Sequence, residues 1–456
     1  MILSILLLVL GATPEPRPNL IFILADDLGY GDVGCFGSDK IETPNLDRLA
    51  KSGMRWTRFY AASAVCTPTR ASCLTGRYPL RFGITKHFID GKEYLPPDRV
   101  TLPRLLRSAG YATAHVGKWH LGGLNKECIA DRAHSIPGPL QHGFEHYLAT
   151  YEDANRQVML KARRMYRDSG KHLIRNDKPA PPTDRHWEDY KIDESLELIE
   201  RYHREGRPFY LNLWFDAPHT PYEPAPEPYL SMYKSRAEGD DLLYRSMVSH
   251  LDAGVGRIIA RLNDLGIAGN TFVLFTSDNG PSFQGSPGPW KGGKADLHEG
   301  GIRVPMIASW PGRVPAGTVC DAFGHTNDLL PTFCRAAGVR LPDNVELDGL
   351  SLLPQLIEKA PPPERGTVFW QLDLYTWYPQ PGTKPEPYAT EVARRGRWKL
   401  LARNGVPGEL IDLTVDPREQ HNLVKNEPSV QEELAGQLRS WLKVASCSQP
   451  AGTARE

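Results

Sequence analysis

The sequence has no net charge, few cysteines and no apolar run long enough to cross a membrane. Its 456 residues include 54 Lys and Arg and 54 Asp and Glu, so the formal charge is zero. This balance gives no sign of a nucleic-acid surface or of a polybasic membrane contact. A bilayer-spanning helix needs about 20 consecutive apolar residues, so we expect no stable membrane insertion. An anion-binding site in this chain must therefore be built from local positive groups.

Cysteine is also too sparse for a disulfide-rich scaffold. The seven cysteines have spacings that fit neither a disulfide framework nor a zinc ribbon. We therefore expect mostly buried free thiols, with one or two bridges at most. The cysteines are Cys35, Cys66, Cys73, Cys128, Cys320, Cys334 and Cys447.

The chain begins with a short apolar segment, residues 1–12, which reads MILSILLLVLGA. It is too short to span a bilayer and ends in small residues, a pattern typical of a signal peptide. Lys and Arg are absent from its start, which leaves a frayed cytosolic N-terminus as the alternative. We expect an exported protein, in a periplasmic, secreted or lysosome-like compartment.

Continuous apolar runs of strand length alternate with helical segments through most of the chain. Such runs are typical of parallel strands that are buried on both faces. The order predicts an α/β fold with a large, mostly parallel central sheet flanked by helices over residues 18–345. Residues 346–456 predict a smaller α+β subdomain, in which an antiparallel sheet packs on one helix. The apolar runs are residues 19–25, 111–116, 207–215 and 271–276.

Each of these four runs ends in residues that can bind ions or transfer protons. Ligands of an open α/β sheet bind beyond the carboxyl ends of its strands, so we expect the four ends to meet at one site. Lys118 and His120 share a face if the chain there is extended. Taken singly, these residues could equally belong to solvated turns or to surface loops. They are Asp26, Asp27, Lys118, His120, His219, Asp278 and Asn279.

Four of these residues offer oxygen ligands to a metal ion. Asp26, Asp27 and Asp278 supply carboxylates, and Asn279 supplies an amide oxygen. Oxygen ligands without thiolate or imidazole favour Ca²⁺, and to a lesser degree Mg²⁺, over Zn²⁺. Positive groups on the other side of the site would neutralise a bound anion and the charge that develops on it. We expect these groups to be Arg70, Lys118 and Lys294.

The short segment Cys66–Arg70 allows two interpretations at this stage. We predict a helix from Arg70 to Leu74 that ends at Gly76. Residue 66 then lies at a helix N-terminus, where free N–H groups and the helix dipole favour an anion. Pro68 suits the first turn of a helix. The residues alone leave open whether Cys66 is a structural thiol or a modified nucleophile.

The combined motifs resemble those of the formylglycine-dependent, type I sulfatases of the alkaline-phosphatase-like superfamily. The similarity covers most of residues 18–425 and is closest in pattern to carbohydrate sulfatases of the arylsulfatase and N-acetylgalactosamine-6-sulfatase type. In this family a formylglycine-generating enzyme reads Cys-x-Pro-x-Arg and oxidises the cysteine to an aldehyde. The motifs that carry the resemblance are Ala25–Asp32, Cys66–Arg77, Gly117–Gly122, Ala217–Pro221, Thr276–Gly280 and His298–Pro305.

The resemblance implies that residue 66 becomes formylglycine, which is hydrated to a diol. One diol oxygen attacks the sulfur to form a covalent sulfoenzyme intermediate, and the second hydroxyl then expels sulfate. It also implies that His219, assisted by Lys294, protonates the leaving alcohol. His120 would accept the proton of the second hydroxyl. The residues implied to steady the sulfate are Lys118 and Arg70.

The loop between Lys294 and the Glu-Gly-Gly sequence departs from the family pattern. The family has small polar residues and an aromatic there, whereas this chain has Ala295–His298. We interpret Asp296 and His298 as contacts to the organic part of a substrate, and a loop packed on itself is the alternative. The family's further sulfate-contacting hydroxyl is not identifiable, and Asp153 falls roughly at its place.

Together with the resemblance, the sequence predicts hydrolysis of a sulfate monoester, on a sugar or an aryl group, by the domain of residues 18–345. Residues 80–95, 125–190 and 370–390 are expected to build the sugar pocket. Two alternatives are a phosphonate or phosphate monoester hydrolase on the same fold and a sulfated-glycan binder in which Cys66 stays unmodified. The sugar, the sulfated position, exo or endo action and the oligomeric state stay open.

Overall fold

The computed structural model describes residues 16–88, 93–131, 136–150, 173–181, 183, 185–373 and 389–447. The predicted signal peptide and Asp153 lie outside these residues, as do parts of the three segments expected to build the sugar pocket. Within the described ranges, no helix is long and apolar enough to cross a membrane. The six cysteines of these ranges whose side chains are described are all free thiols.

An eleven-stranded sheet carries the larger part of the chain. Its strands are β1 (Asn19–Ala25), β2 (Met54–Tyr60), β3 (Ala112–Gly117), β4 (His146–Thr150), β5 (Leu173–Arg175), β6 (Lys178–Pro179), β7 (Phe209–Trp214), β8 (Thr271–Ser277), β9 (Arg303–Ser309), β10 (Thr318–Cys320) and β11 (Gly324–His325). The order across the sheet is β10-β2-β9-β8-β1-β7-β3-β4-β5-β6, with β11 paired to β2. The central strands β4, β3, β7, β1 and β8 run parallel, so the predicted mostly parallel α/β sheet is confirmed.

Helices cover both faces of this sheet. The described helices are Pro44–Ser52, Cys66–Thr75, Leu102–Ser108, Lys126–Ala130, Trp187–Arg204, Gly239–Asp264, Glu299–Ile302, Leu329–Ala336, Leu353–Ile357 and Pro428–Cys447. All seven residues of β1 are buried. Its even-numbered residues pack into one apolar cluster and its odd-numbered apolar residues into another. Because side chains alternate across a strand, a continuous apolar run fills both layers at once.

Two features of the local structure were not predicted from the sequence. Within the segment 125–190, expected to help build the sugar pocket, β4 pairs in parallel with β3 and is fully buried. The strand was not recognisable from the sequence because it is short and has polar residues, His146 and Thr150, at its two ends. In the C-terminal part, a turn at Gly396, with φ of 56°, divides the segment 391–403 into the two paired strands Glu391–Arg395 and Trp398–Arg403.

A smaller antiparallel sheet follows the large one. Its strands are β12 (Val368–Gln371), β13 (Glu391–Arg395), β14 (Trp398–Arg403) and β15 (Val406–Asp412). One face of this sheet packs on the helix Pro428–Cys447, and the other packs against residues that precede Cys66. The indole N–H of Trp370 donates to the carbonyl of Ala61 at 2.7 Å. The small sheet therefore supports the segment that leads into the Cys66 helix.

A buried ionic cluster also joins the two sheets. Lys399 of β14 is fully buried, and its Nζ lies 3.1 Å from Glu299 Oε1 and 2.8 Å from Glu419 Oε1. The hydroxyl of Tyr60, at the end of β2, donates to Glu299 Oε2 at 2.6 Å. Buried charges are costly unless they are paired, so this cluster holds Glu299 and the loop before it in one place.

Replacement of Lys399 tests this link. We expect Lys399→Met to lower the free energy of unfolding by about 3–5 kcal/mol, because two buried carboxylates lose their shared partner. Urea denaturation followed by tryptophan fluorescence measures the loss. The matched control is Lys291→Met, since Lys291 is 42% exposed and pairs with Glu409 at the surface. That control should cost less than about 1 kcal/mol, and equal losses in both variants would contradict a buried ionic link.

Candidate active site

Cys66 is the first residue of a fully buried helix, Cys66–Thr75. The helix starts four residues earlier than the sequence predicted and ends, as expected, at Gly76, with φ of 67°. The thiol sulfur of Cys66 lies 3.4 Å from Asp26 Oδ1, 3.9 Å from Asp27 Oδ1 and 3.6 Å from Lys118 Nζ. Residue 66 is therefore in direct contact with both carboxylates that follow β1.

The register of two central strands brings the four predicted metal ligands together. Ala25 of β1 pairs with Ser277 of β8, so the residues that follow these two strands are neighbours. The backbone N–H of Asp27 donates to Asp278 Oδ1 at 3.1 Å. The Asn279 side-chain Nδ2 donates to Asp27 Oδ1 at 2.7 Å.

The donor set fits a divalent cation. Asn279 Oδ1 is buried and has no hydrogen-bond partner within the described part of the chain. A buried polar atom of this kind is rare in folded proteins and needs an explanation. Three buried carboxylates belong to the same cluster, since the Asn279 side chain contacts Asp27, the Asp27 N–H contacts Asp278, and Asp26 adjoins Asp27 in the chain. Oxygen donors of this type are the ligands that Ca²⁺ prefers.

Three cations from three different elements balance these carboxylates. Lys118 forms an ion pair with Asp26, and Lys294 Nζ lies 2.7 Å from Asp27 Oδ2. Arg70 reaches Asp278 Oδ2 with Nη2 at 2.6 Å and with Nε at 3.1 Å. All six of these charged side chains are at least 96% buried. The site therefore carries no net charge before a metal ion or a substrate binds.

The pKa values of the acidic groups follow from burial and from their neighbours. Burial raises the pKa of Asp26, but Lys118 and the other nearby cations outweigh burial and hold it well below its usual value. Burial and then Asp26 raise the pKa of Asp278 to about 6, although Arg70 opposes them. Burial, followed by Asp26 and Asp278, raises the pKa of the Cys66 thiol well above its usual value. An unmodified thiol in this setting is protonated and is a poor nucleophile.

His219 approaches the carboxylates with its Nε2 atom, which lies 3.7 Å from Asp27 Oδ2. Its Nδ1 contacts the backbone carbonyl of Thr220, and because a carbonyl only accepts, Nδ1 carries the proton there. Burial, then Lys294 and Lys118, lower the His219 pKa to about 4. The imidazole is therefore neutral at neutral pH.

The backbone conformation at His120 differs from the extended one that was expected. Its φ is 54°, so the chain is not extended there and the argument for a face shared with Lys118 is wrong. The Nε2 atom of His120 lies 3.4 Å from the carbonyl oxygen of Phe88 and so carries the proton. Its Nδ1 is buried and has no hydrogen-bond partner among the residues that the structure describes. This leaves Nδ1 as the basic atom of the ring.

Asp296 and His298 contact each other and the small sheet. His298 Nδ1 lies 2.6 Å from Asp296 Oδ1, and its Nε2 lies 3.3 Å from Glu409 Oε1 of β15. Although burial opposes it, hydrogen bonding to Asp296 and Glu409 raises the pKa of His298 to about 9. These contacts match the alternative of a loop packed on itself. A role in substrate contact stays a prediction.

Sequence reasoning missed Ser282 and His87. The Ser282 hydroxyl donates to Asp27 Oδ2 at 3.0 Å, and its position three residues after Asn279 could have suggested a place in the site. The His87 ring stacks on His120 with a centroid distance of 5.6 Å and an interplanar angle of 17°. No local sequence pattern predicts this stack, since 33 positions separate the two histidines.

Comparison with known families settles the identity of this arrangement. Residues 18–339 match the family described as Sulfatase, and residues 293–445 match the family described as N-sulphoglucosamine sulphohydrolase, C-terminal. The chain belongs to the sulfatase family. The predicted resemblance to type I sulfatases of the alkaline-phosphatase-like superfamily is thereby confirmed.

Known proteins similar to this sulfatase agree with that assignment. N-acetylgalactosamine-6-sulfatase of Sus scrofa is 38% identical over 378 residues, which cover 76% of this chain and 68% of that protein. Arylsulfatase A of Bos taurus is 33% identical and covers 94% of this chain and 87% of that protein. Ps i-CgsB in complex with k-i-k-neocarrahexaose superimposes with a TM-score of 0.80, 29% identity and 93% coverage of each chain. This sulfatase is a sulfuric ester hydrolase.

The unpartnered amide oxygen of Asn279 predicts how the protein binds metal. We expect Asn279→Leu, which keeps the side-chain size but removes the oxygen, to lose most of the bound divalent metal that the wild type retains after dialysis. Elemental analysis of the folded protein measures the metal content. Asn327→Leu is the matched control, because Asn327 is also buried with an unpartnered Oδ1. Equal metal content in the wild type and Asn279→Leu would contradict the assigned ligand.

Proposed function

We propose that this sulfatase hydrolyses a sulfate monoester of a carbohydrate to the alcohol and inorganic sulfate. Residue 66 acts as formylglycine, and Asp26, Asp27, Asp278 and Asn279 hold a divalent cation, Ca²⁺ in preference to Mg²⁺. The observation that supports this proposal most is the contact of Cys66 Sγ with Asp26 Oδ1 at 3.4 Å and with Lys118 Nζ at 3.6 Å. This contact supports a nucleophile at residue 66 that lies between the proposed ligands of the cation and a group that can bind sulfate.

The charges of the site support an anionic substrate. Three carboxylates and three cations cancel, so a divalent cation adds an excess of two positive charges. A sulfate monoester carries one negative charge, and a deprotonated attacking oxygen carries another. Binding of both restores the balance. Fixed charges that face developing negative charge stabilise a transition state without reorganisation.

The modification of residue 66 explains why a cysteine is present at a position where a thiol would be inert. As an aldehyde hydrate, residue 66 offers one hydroxyl to attack the sulfur, forming a covalent sulfoenzyme, and a second hydroxyl to expel sulfate. A bound divalent cation lowers the pKa of an oxygen that it contacts. The formylglycine-generating enzyme that installs the aldehyde is therefore a maturation partner of this chain.

Two histidines divide the proton transfers of the reaction. His219 is neutral in the free site and its Nε2 carries no proton, so it protonates the leaving alcohol only after Nε2 has gained a proton in the substrate complex, with the neighbouring Lys294 as the assisting acid. His120 accepts the proton of the second hydroxyl at Nδ1, its basic atom. Arg70 and Lys118 orient the sulfate. General acid and base groups of this kind contribute about 10²- to 10⁴-fold each.

The carbohydrate part of the proposal draws on the similar proteins. One is an N-acetylgalactosamine-6-sulfatase at 38% identity, and Ps i-CgsB was solved with k-i-k-neocarrahexaose. We further propose that the chain is exported and that residues 1–12 direct its export. Residues 18–345 form the catalytic domain in this proposal, and residues 346–456 support it.

Replacement of Cys66 tests the nucleophile. We expect Cys66→Ala to reduce turnover of 4-nitrophenyl sulfate to background, because alanine cannot be oxidised to an aldehyde. The matched control is Cys73→Ala in the same buried helix, which should keep turnover since the Cys73 side chain packs in the apolar core. Circular dichroism should show that both variants fold. Wild-type turnover by Cys66→Ala would contradict the mechanism.

Substrate charge separates sulfate from phosphate hydrolysis. We expect kcat/KM for 4-nitrophenyl sulfate to exceed that for 4-nitrophenyl phosphate at least about tenfold, which corresponds to about 1.4 kcal/mol of transition-state free energy. The reason is that the excess of two positive charges matches a monoanionic ester together with its attacking oxygen. Steady-state kinetics at neutral pH with calcium measures the ratio. A preference for the phosphate ester would identify a phosphate monoester hydrolase instead.

A further inference from the structure

The loop that carries His219 is joined by its backbone to the end of β1. The Asp26 N–H donates to the carbonyl of Ala217 at 3.1 Å, and the His219 N–H donates to the carbonyl of Asp216 at 3.0 Å. Asp216 and Ala217 therefore connect His219 to Asp26, one of the proposed metal ligands. A shift of these two loop residues moves His219 with them.

A buried glutamate from a neighbouring helix holds the same two loop residues. Glu188 is the second residue of the helix Trp187–Arg204, and only 2% of it is exposed. Its Oε1 atom accepts from the N–H of Asp216 at 3.1 Å and from the N–H of Ala217 at 2.9 Å. One carboxylate oxygen thus pairs with both backbone donors of the loop just before His219.

A fully buried lysine ties this glutamate to the side chain of the loop. The Nζ atom of Lys191 lies 3.5 Å from Glu188 Oε2 and forms an ion pair with Asp216. Thr150 Oγ1, at the end of β4, lies 3.3 Å from both carboxylate oxygens of Asp216. Because buried charges are costly unless they are paired, these contacts fix the loop relative to the helix.

Stabilisation of its own helix does not explain Glu188. An acidic side chain in the first turn is favourable near the positive end of the helix dipole, and it gains that benefit while exposed to water. Glu188 is buried instead, and burial raises its pKa although Lys191 opposes the shift. Both hydrogen bonds of its Oε1 atom go to the His219 loop. The contacts of Glu188 therefore serve the loop.

We propose that Glu188 is a positioning residue for the proton transfer from His219 to the leaving alcohol. By holding Asp216 and Ala217, it sets the distance between His219 Nε2 and the ester oxygen. This inference rests on the role of His219 in the proposed function and adds the group that aligns it. A general acid must lie within hydrogen-bond reach of the atom that it protonates, and a misplacement of about 1 Å can cost about 100-fold in rate.

The test compares phenyl sulfate with 4-nitrophenyl sulfate. The 4-nitrophenolate anion departs with little help from an acid, whereas the more basic phenolate depends on protonation. The ratio of kcat/KM for phenyl sulfate to kcat/KM for 4-nitrophenyl sulfate therefore reports the proton transfer. A ratio measured in one preparation is also independent of the fraction of enzyme that is folded or modified.

Two conservative variants separate the position of the carboxylate from its charge. We expect Glu188→Asp to lower the ratio at least about tenfold, because a carboxylate that is one methylene shorter cannot hold both N–H groups where they are. Glu188→Gln keeps the length and an oxygen acceptor, so it should lower the ratio less. An unchanged ratio in Glu188→Asp, or equal falls in the two variants, would overturn the inference.

Glu194→Asp is the matched control, since Glu194 is also buried in this helix and its partners are His146 and Arg175. Its ratio should equal that of the wild type, and a fall as large as that of Glu188→Asp would count against the inference. His219→Asn, measured in parallel, should lower the ratio most. If His219→Asn leaves the ratio unchanged, the acid role of His219 in the proposed function fails, and the inference fails with it.

Discussion

Three carboxylates buried at the ends of two adjacent strands impose the main constraint on this structure. The register of β1 and β8 places Asp27 beside Asp278 and Asn279. Burial of a carboxylate without a partner costs several kcal/mol, so this cluster exists only if cations reach it. Arg70 comes from a helix, Lys118 from the loop after β3 and Lys294 from the loop before β9. The sheet order is the arrangement that lets these three elements meet.

The small C-terminal sheet helps to hold the same site in place. Lys294 lies five residues before Glu299, whose carboxylate pairs with Lys399 of β14. Trp370 of β12 binds the carbonyl of Ala61, ahead of Cys66. The second sheet thus supports two parts of the site. One is the loop of Lys294, which pairs with Asp27, and the other is the segment that leads into the helix of residue 66. This explains why a helix and four strands outside the central sheet are packed so closely against the site.

The sequence was sufficient to predict the features that depend on short patterns. Apolar runs predicted the buried strands, and the rule for open sheets predicted that Asp26, Lys118, His219 and Asp278 would converge. Contacts between distant segments were not predictable. The stack of His87 on His120 and the pairing of His298 with Glu409 depend on how separate loops pack.

Backbone geometry set a second limit on prediction. His120 was expected on an extended chain, but its φ is 54°, a left-handed conformation that is uncommon for a residue other than glycine. The short strand β4 was missed for a related reason. Its five residues are buried by the strands beside it, whereas its own pattern is too brief to indicate a strand.

The central claim is that this charge-balanced pocket surrounds an aldehyde at residue 66 rather than a thiol. The most direct measurement is the mass of the tryptic peptide Phe59–Arg70 from protein made in its native host. The account predicts a peptide in which one oxygen has replaced the sulfur and two hydrogens of Cys66, and which reacts with a hydrazide. A peptide that carries an intact thiol throughout the sample, in protein that still hydrolyses sulfate esters, would contradict it.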